Sequence, residues 1–158
     1  MKKYLYFVLP LTYILLDQIT KLLVVKNIKY YSFITLNDYL SIVNVSNTGI
    51  AFSMFQNNNI FFIVLVSLVL IYIIFFLIIN NKKFTILQVN SFLLILSGGT
   101  GNLIDRIFRG AVVDFIDIGY KEIYRWPAFN VADSCVCVGI ILFIISILFS
   151  NKNKKNNY

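Results

Sequence analysis

Four long apolar stretches dominate the sequence, over residues 4–25, 60–79, 84–104 and 131–149, and they decide which solvent the chain can fold in. At a helical rise of about 1.5 Å per residue, each is about long enough to cross a hydrocarbon core roughly 30 Å thick. Composition points the same way: 59% of the 158 residues are hydrophobic and 13% are charged, far from the averages of a soluble domain. Only the stretch 60–79 is nearly free of polar groups, so it is expected to face lipid most fully. The other three are expected to turn one face inward, and any function has to reside there.

The formal charge of +7 does not describe a nucleic-acid surface, because the lysines sit in short segments outside the apolar runs. Lys2 and Lys3 precede the first, Lys82 and Lys83 separate the second from the third, and Lys152, Lys154 and Lys155 follow the fourth. By the positive-inside tendency both termini and the middle loop are cytoplasmic, which leaves residues 26–59 and 105–130 on the outer side. In the second outer segment Arg106, Arg109, Lys121 and Arg125 are balanced by Asp105, Asp114, Asp117 and Glu122. A removable leader is the competing reading of the N-terminus. No small-x-small cleavage site follows it, and helix-compatible sequence continues through Asp17-Gln18-Ile19-Thr20-Lys21 to Val25.

The expected architecture is therefore an all-α membrane protein, one domain over residues 1–158, with four transmembrane helices. A small β-rich extracytoplasmic segment is added by residues 34–37 and 39–45, which alternate and are rich in β-formers. Asn57, Asn58 and Asn59 break that pattern. Tyr120, Tyr124 and Trp126 mark the second outer segment as an interfacial loop or helix at the headgroup level. Residues 151–158 read as a solvated, frayed tail, and no internal repeat is evident.

The chain has no histidine, which excludes the common zinc-protease motifs and serine-histidine catalysis. Cys135 and Cys137 read as small buried residues of the fourth span. No metal or cofactor is expected, and carboxylates, amides, hydroxyls and bases must carry the chemistry. Counting along the helices brings these groups to one depth. Asp17 lies roughly 20 Å along the first span, with Lys21 one turn further on the same face. Asn102 lies roughly 27 Å along the third span, with Asp105 and Arg106 just beyond. Asp133 opens the returning fourth span beside Asn130, and Asp114 lies in the outer segment between them.

Ionisable groups at membrane depth are costly and usually mark function, although a structural pair is an equal reading of Asp17 with Lys21. Two aspartates in a partly dry site can share a proton, which is the state needed to hydrolyse a peptide without metal or covalent intermediate. Position favours Asp114 with Asp133, because Asp105 has Arg106 beside it, but position alone does not separate Asp105 from Asp114. The rival class is a proton-coupled transporter using Asp17, Asp105 and Asp133. That reading calls for polar groups near the midplane and for repeat symmetry, and here the ionisable groups cluster at one face.

Five segments in order resemble the lipoprotein signal peptidases, also called signal peptidase II. They are Asp17-Gln18-Ile19-Thr20-Lys21, Asn47-Thr48-Gly49-Ile50-Ala51-Phe52-Ser53, Gly101-Asn102-Leu103-Ile104-Asp105-Arg106, Val112-Val113-Asp114-Phe115 and Pro127-Ala128-Phe129-Asn130-Val131-Ala132-Asp133-Ser134. The resemblance spans nearly the whole chain. It implies a bacterial plasma-membrane aspartic peptidase that cuts prolipoproteins just before a diacylglyceryl-modified cysteine; contact with membrane lipid and a monomeric state are expected, although the sequence does not itself reveal the oligomeric state. It maps the catalytic pair to Asp114 and Asp133. Asn102, Arg106 and Asn130 would line the site, Asn47 would belong to the segment cradling substrate, and Asp17 with Lys21 would support it; Gly49 and Asp105, within the matching segments, are expected to bind substrate or support the site. Ser97-Gly98-Gly99-Thr100-Gly101 is a modest variation on the family pattern and is expected to serve close helix packing. Residues 107–124 are a candidate lid, with Gly110 and Gly119 as hinges or ordinary turn residues.

Overall fold

The structure, a computed structural model, describes residues 5–49, 58–80, 83–121 and 123–155. Among these residues are four helices, α1 (Leu5–Asn27), α2 (Asn59–Asn80), α3 (Ile86–Phe108) and α4 (Val131–Lys155). Four strands accompany them: β1 (Phe33–Thr35), β2 (Leu40–Asn47), β3 (Val112–Tyr120) and β4 (Tyr124–Arg125). Three segments, Val8–Asn27, Asn59–Asn80 and Val131–Phe149, are long and apolar enough to cross a membrane. The fold is mostly helical with a small antiparallel sheet.

Sequence explains each helix locally. α2 is an almost unbroken run of Ile, Leu, Val and Phe. Only Phe62 and Leu70 are buried along it, and more than half of its residues are exposed, as a lipid-facing helix requires. α3 begins with a capping box, in which the Thr85 hydroxyl accepts from the Gln88 backbone N–H and the Gln88 side chain accepts from Thr85 N–H. It runs on through Asp105 and Arg106 to Phe108, so those two residues are helical rather than part of the outer segment. α4 extends to Lys155, so the tail expected to be frayed is helical as far as it is described. Cys135 is buried as expected, whereas Cys137 lies on the exposed side of α4.

α3 is the central helix and packs against α1, α2 and α4. Its glycines permit this: a methyl on Gly98 would run into the Ala132 carbonyl and Val136 of α4, and one on Gly101 would sit 2.7 Å from Asp17 Oδ2 of α1. Gly139 answers from α4, where a methyl would lie 2.8 Å from the Ser91 carbonyl oxygen. The close packing expected of the 97–101 stretch is therefore present.

The sheet order is β1-β2-β3-β4, each pair antiparallel. β1 and β2 form an antiparallel hairpin in the β-rich first outer segment. β2 then pairs with β3 from the second outer segment, with a register shift between Ile42 and Val45 that brings Val45 opposite Asp114. Such bulges bend a strand and re-aim its side chains. A hydrophobic cluster of Val24, Ile28 and Phe115, with Ile42, Ile116 and Val131 against it, joins the end of α1, the sheet and the start of α4. Asn44 reinforces the joint, its buried amide donating to the Ile28 carbonyl at 2.7 Å.

The second outer segment differs from expectation. It is neither an interfacial helix nor a free lid, because Val112–Tyr120 is an inner strand hydrogen-bonded to β2 and β4. Gly119 is wedged against the Tyr124 carbonyl and Arg125. Gly110, at φ +79°, is an ordinary left-handed turn residue after α3. Tyr120, Tyr124 and Trp126 are exposed beside it.

Candidate active site

The start of α4 organises the site. Asn130 is its N-cap: the Asn130 side-chain oxygen accepts from Asp133 N–H at 2.8 Å, and the Asp133 carboxylate accepts from Asn130 N–H at 3.2 Å. This reciprocal pair satisfies two backbone donors at the helix start and fixes the Asp133 rotamer. A third donor, Ala132 N–H, reaches Asp17 Oδ1 on α1 at 2.9 Å. Three residues from two helices therefore complete one helix terminus.

The capping amide also reaches β3. Asn130 Nδ2 donates to Asp114 Oδ1 at 2.7 Å, and Asn47 Nδ2 from β2 donates to Asp114 Oδ2 at 3.1 Å. Asp133 Oδ1 accepts from Asn102 Nδ2 at 2.7 Å, and Asn102 Oδ1 accepts from Asn130 Nδ2 at 3.2 Å. The two aspartates are thus joined through a bridge of two amides. They open onto one cavity of about 250 Å³, lined also by Asn47, Gly49, Asn102, Arg106 and Val112, with Phe62, Leu65 and Val66 of α2 along its apolar side. Burial first, and the Asp133 carboxyl second, push the Asp114 pKa up to about 7.

Arg106 spans the cavity wall. One guanidinium nitrogen donates to the Gly49 carbonyl at 2.8 Å, the group lies 5.1 Å over the Phe62 ring, and Nη1 is buried without a partner among the described residues. It does not pair with Asp105, the contact its adjacency in sequence suggested, because successive residues on a helix point to different sides. Asp105 is fully buried and accepts instead from Lys21 at 2.8 Å, from Val113 N–H at 3.1 Å and from Arg109. Lys21, also fully buried, divides its ammonium among Asp105, Asp17 at 2.8 Å and Asn102 Oδ1 at 3.0 Å.

All ten residues singled out from sequence therefore gather at one place. Asn47, Gly49, Asn102, Arg106, Asp114 and Asp133 line the cavity, Asn130 lies buried behind it, and Asp17, Lys21 and Asp105 form the ion cluster beneath. Residues 50–53 of the second motif lie outside the described residues. Two participants were missed, Gln18 and Arg109. The Asp105–Arg109 spacing of one helical turn, and the position of Gln18 next to Asp17, were the available signals. Among the described residues no three metal-ligating side chains cluster. A larger cavity of about 370 Å³ lies on the sheet around Ser41, Asp117 and Arg125, but each Arg125 nitrogen is already bonded, to Asp117, Ser41 and the Lys121 carbonyl.

The model of the signal peptidase II family matches residues 9–149. A lipoprotein signal peptidase of Borreliella burgdorferi is 40% identical over 160 residues, covering 95% of this chain and 93% of its own length. That of Borrelia garinii subsp. bavariensis is 41% identical over 161 residues, with the same coverage. A solved bacterial membrane enzyme superposes with a TM-score of 0.87 at 28% identity, covering 98% of this chain and 93% of its own.

Proposed function

Because the chain belongs to the signal peptidase II family, we propose that it removes signal peptides from prolipoproteins by hydrolysis just before the diacylglyceryl-modified cysteine, with Asp114 and Asp133 as the catalytic pair. The observation that carries the reading is the amide-bridged pair of aspartates on a single cavity. With the Asp114 pKa near 7, one proton can be shared between the two carboxyls at neutral pH. The ionised member takes a proton from water as the oxygen attacks the scissile carbonyl. The protonated member donates to the oxygen that gains charge, and the proton then passes to the departing amine. The products are a signal peptide with a new C-terminal carboxyl and a free amine on the lipidated cysteine.

In this reading Asn102 and Asn130 hold the two carboxyls in register, and Asn47 and Gly49 flank the incoming peptide. Arg106 Nη1, which has no partner among the described residues, offers a donor to a substrate carbonyl. Asp17, Lys21 and Asp105 support the bridge from below. The apolar wall of Phe62, Leu65 and Val66 suits a substrate that arrives as a lipid-anchored helix. No cofactor takes part, and the chain acts as a monomeric single domain.

The same reading places four spans in the bacterial plasma membrane, both termini in the cytoplasm and the site at the outer interface. The strand pairing supports it: β2 follows α1 and β3 precedes α4, so if α2 leaves that side, α3 has to return to it. The test is cleavage of a diacylglyceryl-modified prolipoprotein peptide by the purified protein. Wild type is expected to cut, and Asp114→Asn and Asp133→Asn each to lose all but about a ten-thousandth of the rate, with fold checked by thermal melting. An inactive wild type, or either variant cutting normally, would overturn the proposal.

A further inference from the structure

Beneath the catalytic cavity lies a cluster whose charges balance only when a residue outside the matched motifs is counted. Asp17 and Asp105 are both buried, and the ammonium of Lys21 bonded to each of them offsets one negative charge. The second cation is Arg109, one turn beyond Asp105 on α3, whose guanidinium reaches Asp105 Oδ1 from a partly exposed position. Gln18 ties the two halves together. Its amide nitrogen donates to Asp17 Oδ2 at 3.1 Å, to Asp105 Oδ1 at 3.2 Å and to the Gly101 carbonyl at 3.1 Å, while its oxygen accepts from Arg109 at 3.0 Å. Two carboxylates and two cations then sum to zero, and an uncompensated charge at this depth would be costly.

Asp17 and Asp105 accept from the backbone beside the two aspartates, at Ala132 and Val113, and the cluster's link to the amide bridge is Lys21 on Asn102. Lys21 can only donate, so the end of Asn102 that it meets at 3.0 Å has to be the oxygen, which leaves Nδ2 for Asp133 Oδ1 at 2.7 Å. The orientation of the bridging amide is therefore set by where the Lys21 ammonium sits. That in turn depends on how much negative charge Asp105 presents to it. From this geometry we infer that Arg109, held by Gln18, is a positioning residue for the peptidase reaction: by neutralising Asp105 it keeps Lys21 on Asn102 and sets the pH range of the Asp114–Asp133 pair. The inference rests on the function proposed above.

The groups packed around the pair fix the sign. α1 contributes Asp17 and Lys21, and α3 contributes Asp105, Arg106 and Arg109. β2 contributes only the Asn47 amide and α2 only Phe62, Leu65 and Val66, while on α4 the Cys135 thiol lies near Asp17. Removing the Arg109 charge leaves one net negative charge in the buried cluster, so the shared proton is held more tightly and the pH–rate profile moves to higher pH.

The experiment compares kcat and KM for the lipidated peptide across pH in wild type, Arg109→Gln and Arg109→Lys, with melting temperature recorded for each. Arg109→Gln is expected to shift the profile of kcat/KM upward by about half a pH unit. It should also lower kcat about tenfold with KM unchanged. Arg109→Lys keeps the charge and is expected to restore the wild-type profile. Gln18→Met, which frees the guanidinium, should act in the same direction at smaller size, so a poorly folding Arg109→Gln still leaves a test. If wild type cleaves and both Arg109→Gln and Gln18→Met reproduce its profile and kcat while only the melting temperature falls, Arg109 is a structural residue and the inference fails alone. An inactive wild type would remove the parent function instead.

Discussion

At Asp114 the folded chain holds a proton that the unfolded chain gives up, because burial and the Asp133 carboxyl lift its pKa from 3.8 to about 7. Between those values the folded state binds more protons than the unfolded state, so stability falls as pH rises through the window. The penalty is absent below about 3.8, complete above about 7, and at most about 4 kcal/mol. Asp114→Asn keeps the side-chain shape and removes the penalty together with the proposed chemistry. Thermal unfolding in detergent should therefore show the Asn variant more stable than wild type at pH 8 and equal to it near pH 4. Coincident melting at both pH values would mean that Asp114 is not held near neutrality. Sequence alone brought Asp17, Lys21, Asn102, Asp105, Asp114, Asn130 and Asp133 to one depth, because helical rise converts residue number into distance. It did not reveal that Asp105 belongs to Lys21 and Arg109 rather than to Arg106, since that depends on how α1 and α3 are rotated about their axes. Nor did it reveal the Asn130–Asp133 cap, although Asn followed three residues later by Asp, ahead of an apolar run, is a variant of the capping-box pattern.

Among the elements, α3 makes the site possible by coming close to both α1 and α4, and two of its glycines separate packing from function. A methyl on Gly99 would meet only the flexible end of Leu70, at 2.7 Å. On Gly101 it would meet Asp17 Oδ2 at 2.7 Å and Ala132 Cβ at 3.2 Å, between the carboxylate and the helix start that it caps. Gly101→Ala is expected to cost about 1–3 kcal/mol of stability and to slow cleavage at least about tenfold. Gly99→Ala should stay within about twofold of wild type. Melting curves and peptide cleavage on the two variants check this, and equal effects would show that Asp17 is not positioned through this contact. The helices were legible because four largely apolar stretches of spanning length stand out in the sequence, although α3 runs on past its stretch into Asp105 and Arg106. The partnership of β2 and β3 was not, because the strands are separated by two whole helices and local alternation gives no hint of so distant a partner. That gap is why residues 107–124 looked like a lid: the sequence shows β-branched residues and turn glycines, but not that the neighbouring edge is already paired.

For the molecule as a whole, one sheet built from both outer segments constrains the path of the chain through the bilayer. β2 and β3 lie side by side, so the end of α1, the start of α2, the end of α3 and the start of α4 share one face. α3 is more polar than the three clearly apolar segments, with Asn102, Asp105 and Arg106 in its last two turns. It can tolerate them because it is enclosed by the other helices and its ionic groups are bonded within the protein. In the proposed topology the segment between α2 and α3 lies on the side opposite the sheet, and Lys82 and Lys83 there would mark that side as cytoplasmic. Single cysteines in a background lacking Cys135 and Cys137 test this directly. Asn37→Cys, in the β1–β2 turn, should react with a membrane-impermeant maleimide added to intact spheroplasts. Lys83→Cys, beyond α2, should react only after the membrane is opened. Labelling of both positions in sealed cells would mean that α2 and α3 do not cross as a pair. The aspartates would then lack the outer-face position from which a lipid-anchored substrate is reached.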